Sequence, residues 1–290
     1  MAPATQTVDR SCDICDAAGD KLRLLEAYSP APWQIVQCQT CGFVFLRNPP
    51  PYEKLEADFA WEKTSEKVTA KRQSKAPVKA AVSQSTKKIR RSLLKRQKIR
   101  DLIVAHMPDN PGTVVDIGCM KGNTLINLCK ELKDAGRNPK PVGIEISAEL
   151  AEIAQRKLKK IKGNCLHADA LSALTSLPDH QSGIVIMSAY LEHEYQPRLV
   201  LEQIHRVLTP TGIAVLKVPN YACWNRHFTR ANWCGFRYPD HVNYFTPHSL
   251  AALAHRAGLS IQRSNWLDRL RTSDNMYAVL APIPQPSKKD

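Results

Sequence analysis

Four of the nine cysteines fall in two CxxC pairs, Cys12-Asp-Ile-Cys15 and Cys38-Gln-Thr-Cys41, with 22 residues between them. Each pair can present two thiolates from one tight knuckle, and Gly42 supports the second. Two such knuckles make a tetrahedral site suited to Zn²⁺, and four protein ligands leave no open position, so the expected metal is structural. A module of this size cannot bury an adequate core alone, which is the physical reason for the metal. No βαβ pattern surrounds either pair, so a redox role is not expected. A second constellation is Val114-Val-Asp116-Ile-Gly118-Cys-Met120-Lys-Gly122, followed by Glu145 at the end of the next apolar run. A buried strand running into a Gly-containing turn and a helix brings backbone N–H groups close to a ligand, and a carboxylate on the neighbouring strand tip can accept both ribose hydroxyls. The spacing from Gly122 to Glu145 fits the roughly 20 residues expected between such a turn and its acceptor. A nucleoside-containing cofactor is the expectation.

These residues need a scaffold, and the hydrophobic pattern describes one. Trp33–Gln37 and Phe43–Phe45 read as short strands in the cysteine-rich region, closed by Pro49-Pro50-Pro51. Ile89, Leu93, Leu94, Ile99, Leu102 and Ile103 recur at helical spacing up to His106. Element types then alternate: strand Thr113–Ile117, helix Asn123–Ala135, strand Val142–Ile146, helix Ala148–Lys160, and a short strand at Cys165–His167. Strand Gly183–Met187, helix Pro197–Leu208, strand Ile213–Val218 and helix Pro247–Ala257 follow. Strands Ser260–Leu267 and Asn275–Ala281 have no helix between them, which predicts an antiparallel edge hairpin. Alternating β and α elements predict an α/β, doubly wound, mostly parallel sheet with ligands at the C-terminal strand ends.

The formal charge is +14, but Lys63 to Arg100 holds fourteen Lys or Arg against one acidic residue, Glu66. Such a block is a solvated helix or linker, or else a contact for phosphate in RNA or lipid head groups. It has no aromatic residue for stacking on unpaired bases. The singly scattered Cys119, Cys129, Cys165, Cys223 and Cys234 argue against a disulfide framework. No apolar run is long enough for a membrane span, and the N-terminal residues lack a secretory pattern. The expected location is cytoplasmic, with peripheral contact at an anionic membrane as an option.

The turn lacks the G-x-G-x-x-G spacing of dinucleotide folds. It resembles instead the first motif of class I S-adenosylmethionine-dependent methyltransferases, with Met120 where the family has its middle glycine. The resemblance covers residues 110–281 and extends to Glu145, His167-Ala-Asp169-Ala170, Tyr190-Leu-Glu192-His193, Ile204–Gly212 and the aromatic segment Trp233–Pro247. It implies a seven-stranded Rossmann-like sheet over residues 108–282, after a zinc-ribbon-like module at 1–51 and a basic helical linker at 52–107, with a disordered tail at 283–290. It also implies that Asp116 and the turn of Gly118, Met120 and Gly122 hold the methionyl part of S-adenosylmethionine. Glu145 would then take the ribose hydroxyls, Asp169 the adenine amino group, and Ile146 and Ala170 the adenine faces. Ser188, at the end of the fourth core strand, completes the expected cofactor set. The side chain of Met120 is expected to narrow the turn.

With the electrophile supplied by the sulfonium, the protein must chiefly align an acceptor. A hydroxyl or carbon-acid acceptor also needs a proton removed, which suits a histidine. His193, directly after the fourth core strand, is the first candidate as base or substrate anchor, and His241 in the aromatic loop is the second. His205 reads as surface or packing. Glu192-His193 also resembles metal-assisted ubiquinone-type O-methyltransferases, whose motif carries a Glu four residues earlier. Ser188 stands there, which argues against a catalytic Mg²⁺. The cluster of Arg226, Trp233, Phe236, Arg237 and Tyr238 suits a glycosyl, phosphorylated or quinone-like acceptor, or equally a lid packed on the core. Three functions compete: methyl transfer to a small-molecule hydroxyl or carbon (sugar, lipid-linked or quinone-like), an RNA methyltransferase gripping RNA with the zinc module and residues 63–100, and a non-catalytic binder.

Overall fold

The computed structural model describes residues 6–51, 98–264 and 273–284. Apart from residues 98–100, the basic block lies outside these, as does the tail from 285 onward. In the N-terminal region Leu22–Leu24 (β1), Ile35–Cys38 (β2) and Val44–Leu46 (β3) form an antiparallel sheet. Lys98–His106 (α1) leads into the larger unit. There Thr113–Ile117 (β4), Asn123–Asp134 (α2), Lys140–Glu145 (β5), Ala148–Leu158 (α3), Asn164–His167 (β6) and Ala170–Ser176 (α4) alternate. Ser182–Ser188 (β7), Pro197–Val207 (α5), Leu208–Pro219 (β8), Trp224–Thr229 (α6), Asn243–Tyr244 (β9) and Pro247–Arg256 (α7) follow. Leu259–Ser264 (β10) and Asn275–Pro282 (β11) end the described chain.

Seven strands form one sheet in the order β10-β11-β8-β7-β4-β5-β6. β11 runs antiparallel to both neighbours, while the pairings among β8, β7, β4, β5 and β6 are parallel. The expected hairpin is present, yet its second strand is the one inserted beside β8, leaving β10 at the edge. The sheet is apolar on both faces because helices cover both. α1, α2 and α3 cover one face, where Leu125, Leu128, Cys129 and Leu132 of α2 follow a helical stripe. α4, α5 and α7 cover the other, α5 through Val200, Leu201, Ile204 and Val207. Burying each such side chain contributes about 1.5–3 kcal/mol before the entropy of ordering is subtracted. Helix starts are set locally: Pro occupies the first turn of α5 and α7, and Thr246 and Ser249 form a reciprocal capping box on α7.

The N-terminal sheet is not separate from this body. β3 pairs with β9, Val44 opposite Tyr244 and Phe45 opposite Asn243, so its order is β1-β2-β3-β9. Ile14, Leu22, Phe43 and Phe45 share one core with Val200, Leu201, Phe245 and Leu250. Neither β9 nor this pairing is visible in the sequence, because a two-residue strand carries no periodicity.

Candidate active site

Asp116 ends in the core near the tip of β4, and the following turn lies outside the right-handed region. Gly118 has φ +70°, Met120 +51° and Gly122 +71°. The N–H groups of Gly118 and Cys119 both donate to the Ile144 carbonyl, at 2.9 and 3.0 Å, tying the turn to β5. Glu145 closes the other side. Its Oε2 accepts from the Met120 N–H at 2.8 Å and its Oε1 from the Ser147 N–H at 3.0 Å. Each carboxylate oxygen retains acceptor capacity for a ligand hydroxyl. Burial, and then the neighbouring Glu145, push Asp116 up to about 7. Met120, at the middle of the turn, is 42% exposed.

Farther along the strand tips, Ile146 is half-buried. Asp169 caps α4 by accepting the Ser172 N–H at 2.9 Å, and Ala170 is buried at that helix start. Ser188 ends β7 exposed and lines a cavity of about 350 Å³ with Thr124, Asn127, Lys217, Tyr277 and Ile99. Its walls come from α1, α2, β7, β8 and β11, and neither the Gly118–Gly122 turn nor the two histidines line it.

The two candidate histidines, distant in sequence, meet here. Their rings stand edge to face, 4.6 Å between centroids. His193 Nδ1 lies 2.8 Å from the Asp240 carbonyl oxygen, and His241 Nδ1 lies 2.8 Å from that of Gly235. A carbonyl facing Nδ1 places the proton there and leaves the lone pair on Nε2. Glu192 is buried beside them. Burial pushes its carboxyl above the usual range, opposed by His193, Lys217 and Arg237. The two segments are laced together by backbone bonds: the N–H groups of Val242 and Asn243 donate to the Glu192 carbonyl at 2.8 and 3.1 Å. The Asn243 amide adds bonds to the Leu191 and Glu194 carbonyls, at 2.9 and 2.6 Å. Sequence reading gave no role to Asp240 and Asn243, although both lie in the aromatic segment Trp233–Pro247, and none to Arg10, which sits in no motif. Arg10 donates to the Leu46 and Val242 carbonyls and to Asn243 Oδ1, binding the N-terminal region to the histidine loop. His205 stands apart on α5, beside Gly258. Trp233 and Phe236 are buried among Ile35, Val44 and Leu46, which makes the aromatic cluster packing between loop and N-terminal sheet.

Cys12, Cys15, Cys38 and Cys41 converge, their sulfurs all within 4.8 Å and the pairs Cys12–Cys41 and Cys15–Cys38 at 3.4 Å. Sulfurs held about 2.3 Å from one tetrahedral ion stand about 3.8 Å apart, so a small contraction or expansion seats Zn²⁺. Backbone N–H groups of the knuckles also point at the thiols, those of Ile14 and Cys15 at Cys12 and those of Thr40 and Cys41 at Cys38. Such donors favour thiolates. The donor set fits the metal.

Residues 88–264 match a family described as methyltransferase domain. The chain belongs to that family. Solved structures similar to this methyltransferase include a chain from the complex containing the Haloferax volcanii Trm112 methyltransferase activator. That chain is 17% identical, with 67% of this chain and 93% of the other covered and a TM-score of 0.51. An S-adenosylmethionine-dependent methyltransferase from Clostridium acetobutylicum is 10% identical, with 69% and 99% covered and a TM-score of 0.50. The PH0226 protein of Pyrococcus horikoshii is 18% identical, with 65% and 90% covered, also at 0.50. No curated protein matches the sequence. The seven-stranded sheet is the class I S-adenosylmethionine-dependent methyltransferase fold.

Proposed function

We propose that this methyltransferase transfers the methyl group of S-adenosylmethionine to a hydroxyl or carbon of a small molecule, of the sugar, lipid-linked or quinone-like kind. The observation that carries the reading is the meeting of His193 and His241 beside the tip of β7. Acceptors of this kind must lose a proton, which such a pair can handle near neutral pH. When bound, S-adenosylmethionine supplies an electrophilic methyl on a positive sulfur. Asp116 and the Gly118–Gly122 turn hold its methionyl part and Glu145 its ribose. Asp169, Ile146 and Ala170 hold the adenine. Ser188 borders the space between cofactor and acceptor. Cys12, Cys15, Cys38 and Cys41 hold a structural Zn²⁺ that keeps β3 in place against β9. Among the described residues no helix is long and apolar enough to cross a membrane.

The test is transfer of a labelled methyl group to a panel of nucleotide sugars, quinols and RNA. Labelling of a sugar or quinol supports the reading; labelling of RNA alone replaces it with the RNA enzyme. Cofactor binding is tested separately by Glu145→Ala, which removes a charged acceptor. Affinity measured by calorimetry is expected to fall about 10- to 100-fold, the worth of a charged hydrogen bond.

A further inference from the structure

Two glutamates follow β7 within the same buried turn, and they differ. Glu194 is satisfied at both oxygens, by the Tyr190 hydroxyl at 2.5 Å and the Gln196 N–H at 2.9 Å. Glu192 is 1% exposed, and its Oε2 has no hydrogen-bond partner. A buried carboxylate oxygen left unpaired is unfavourable, so a native group is expected to face it. The carboxylate lies beside a pair of imidazoles. One ligand atom each from Glu192, His193 and His241 lies within 4.8 Å of the others. Both rings are oriented through Nδ1 by backbone carbonyls, the arrangement that presents Nε2 as a metal ligand. Arg237, the nearby cation, is paired with Asp240 at 3.0 Å, which offsets its charge.

We infer that Glu192, His193 and His241 form a metal site for a borderline divalent transition ion, with open positions facing the acceptor. Two imidazoles and a carboxylate are the donor set of Zn²⁺ sites that keep a coordination position free, and of two-histidine, one-carboxylate iron sites. It is a poor set for Mg²⁺, which prefers oxygen ligands. His241 supplies the third donor, and the Ser188 hydroxyl is not required. The inference rests on the proposed acceptor chemistry only for its purpose. With their Nε2 atoms on the ion, the two histidines would act through the metal and not as free bases, and a hydroxyl on an open position would lose its proton to water more readily. Its oxygen then forms the new bond to the methyl group, and the electron pair of the broken C–S bond stays on sulfur.

The test uses full-length protein whose four cysteines carry Zn²⁺, titrated with Co²⁺. Wild type is expected to take up one further equivalent, giving weak ligand-field bands without thiolate charge transfer, and the bands are expected to shift on adding azide. Glu192→Gln and His241→Asn are expected to weaken Co²⁺ binding about 100-fold while retaining one zinc per chain and the near-ultraviolet circular dichroism of wild type. Should either variant lose that fold signature, His193→Gln provides the same reading from the exposed side of the cluster. Absence of a second equivalent in wild type, or unweakened binding in folded variants, overturns the site. Bands indifferent to azide overturn its open positions. Calorimetry with S-adenosylmethionine and the methyl-labelling panel are independent of these readouts, so failure here is distinguishable from failure of the acceptor reading.

Discussion

The four cysteine sulfurs come from two knuckles that a sequence reader can see, each four residues long from first to last cysteine. Glu192, His193 and His241 come from two turns separated by α5, β8 and α6, and share a site only because β9 and the backbone bonds to Glu192 bring the turns together. One cluster has four donors of a single kind; the other has three of two kinds. The difference is one of job. A closed site holds a fold, whereas an incomplete one can meet a ligand. They are also physically coupled. Cys38 ends β2, β2 pairs with β3, and β3 pairs with the strand that follows His241, while Arg10 spans the same junction.

Removing zinc should have the largest effect. A strong chelator, or Cys38→Ser, is expected to unfold the cysteine end of the N-terminal sheet, because the metal there supplements the small core that Phe43 and Phe45 share with the larger body; binding of such ions is worth about 10 kcal/mol or more. Differential scanning calorimetry should show a large drop in the first transition, and proton NMR should show the His193 and His241 resonances moving with it. Histidine resonances indifferent to zinc would break the coupling between the two clusters.

His193→Asn sharpens the contrast from the other side. Methyl transfer is expected to fall about 10²- to 10⁴-fold, with zinc content, melting temperature and S-adenosylmethionine affinity close to wild type. A variant that instead lost zinc or melted early would make His193 structural.

A third experiment separates the acceptor cluster from the cofactor turn. Asp116 is neutral below about 7 because of its burial and of Glu145. In the cofactor-free protein, a carboxyl raised in this way favours folding below its ordinary range and loses that contribution as pH rises to about 7. Binding the cationic methionyl amine needs the carboxylate, so affinity for S-adenosylmethionine should weaken up to tenfold per unit as pH falls below about 7. Asp116→Asn should flatten that profile. If the slope persists in Asp116→Asn, the histidine pair carries it instead.

The smallest effect concerns Met120, whose positive φ is costly for a residue with a Cβ. Met120→Gly removes about 1 kcal/mol of strain, part of which is returned as unfolded-state entropy, so denaturant unfolding should show a slight net stabilisation. Cofactor affinity should be unchanged, since the backbone of the turn and not the Met120 side chain is expected to meet the cofactor.

How much of this was legible can be argued residue by residue. The knuckles, the alternation from Thr113 to Ala257 and the acidic tip at Glu145 are all local patterns, in which types and spacing within about 25 residues carry the information. The parallel order of β7, β4, β5 and β6 follows from right-handed crossovers once those elements are known. The insertion of β11 beside β8 was not legible, because either strand of the hairpin could have paired there on hydrophobicity alone. Nor was the role of the aromatic loop. Trp233 and Phe236 look alike whether they line an acceptor pocket or pack on Ile35 and Val44, and only the β3–β9 ladder selects the second.

By itself, then, the chain's order of residues determined a four-cysteine module, a doubly wound sheet and a glycine-containing turn with an acidic neighbouring strand tip, since each depends on neighbours along the backbone. The tertiary structure alone decided that the four-cysteine module continues into the catalytic body, that Arg10 and Asn243 lace the two together, and that His241 completes a cluster with Glu192 and His193. Those outcomes depend on long-range pairing, where one hydrogen-bonded register excludes the others and no local pattern records the choice.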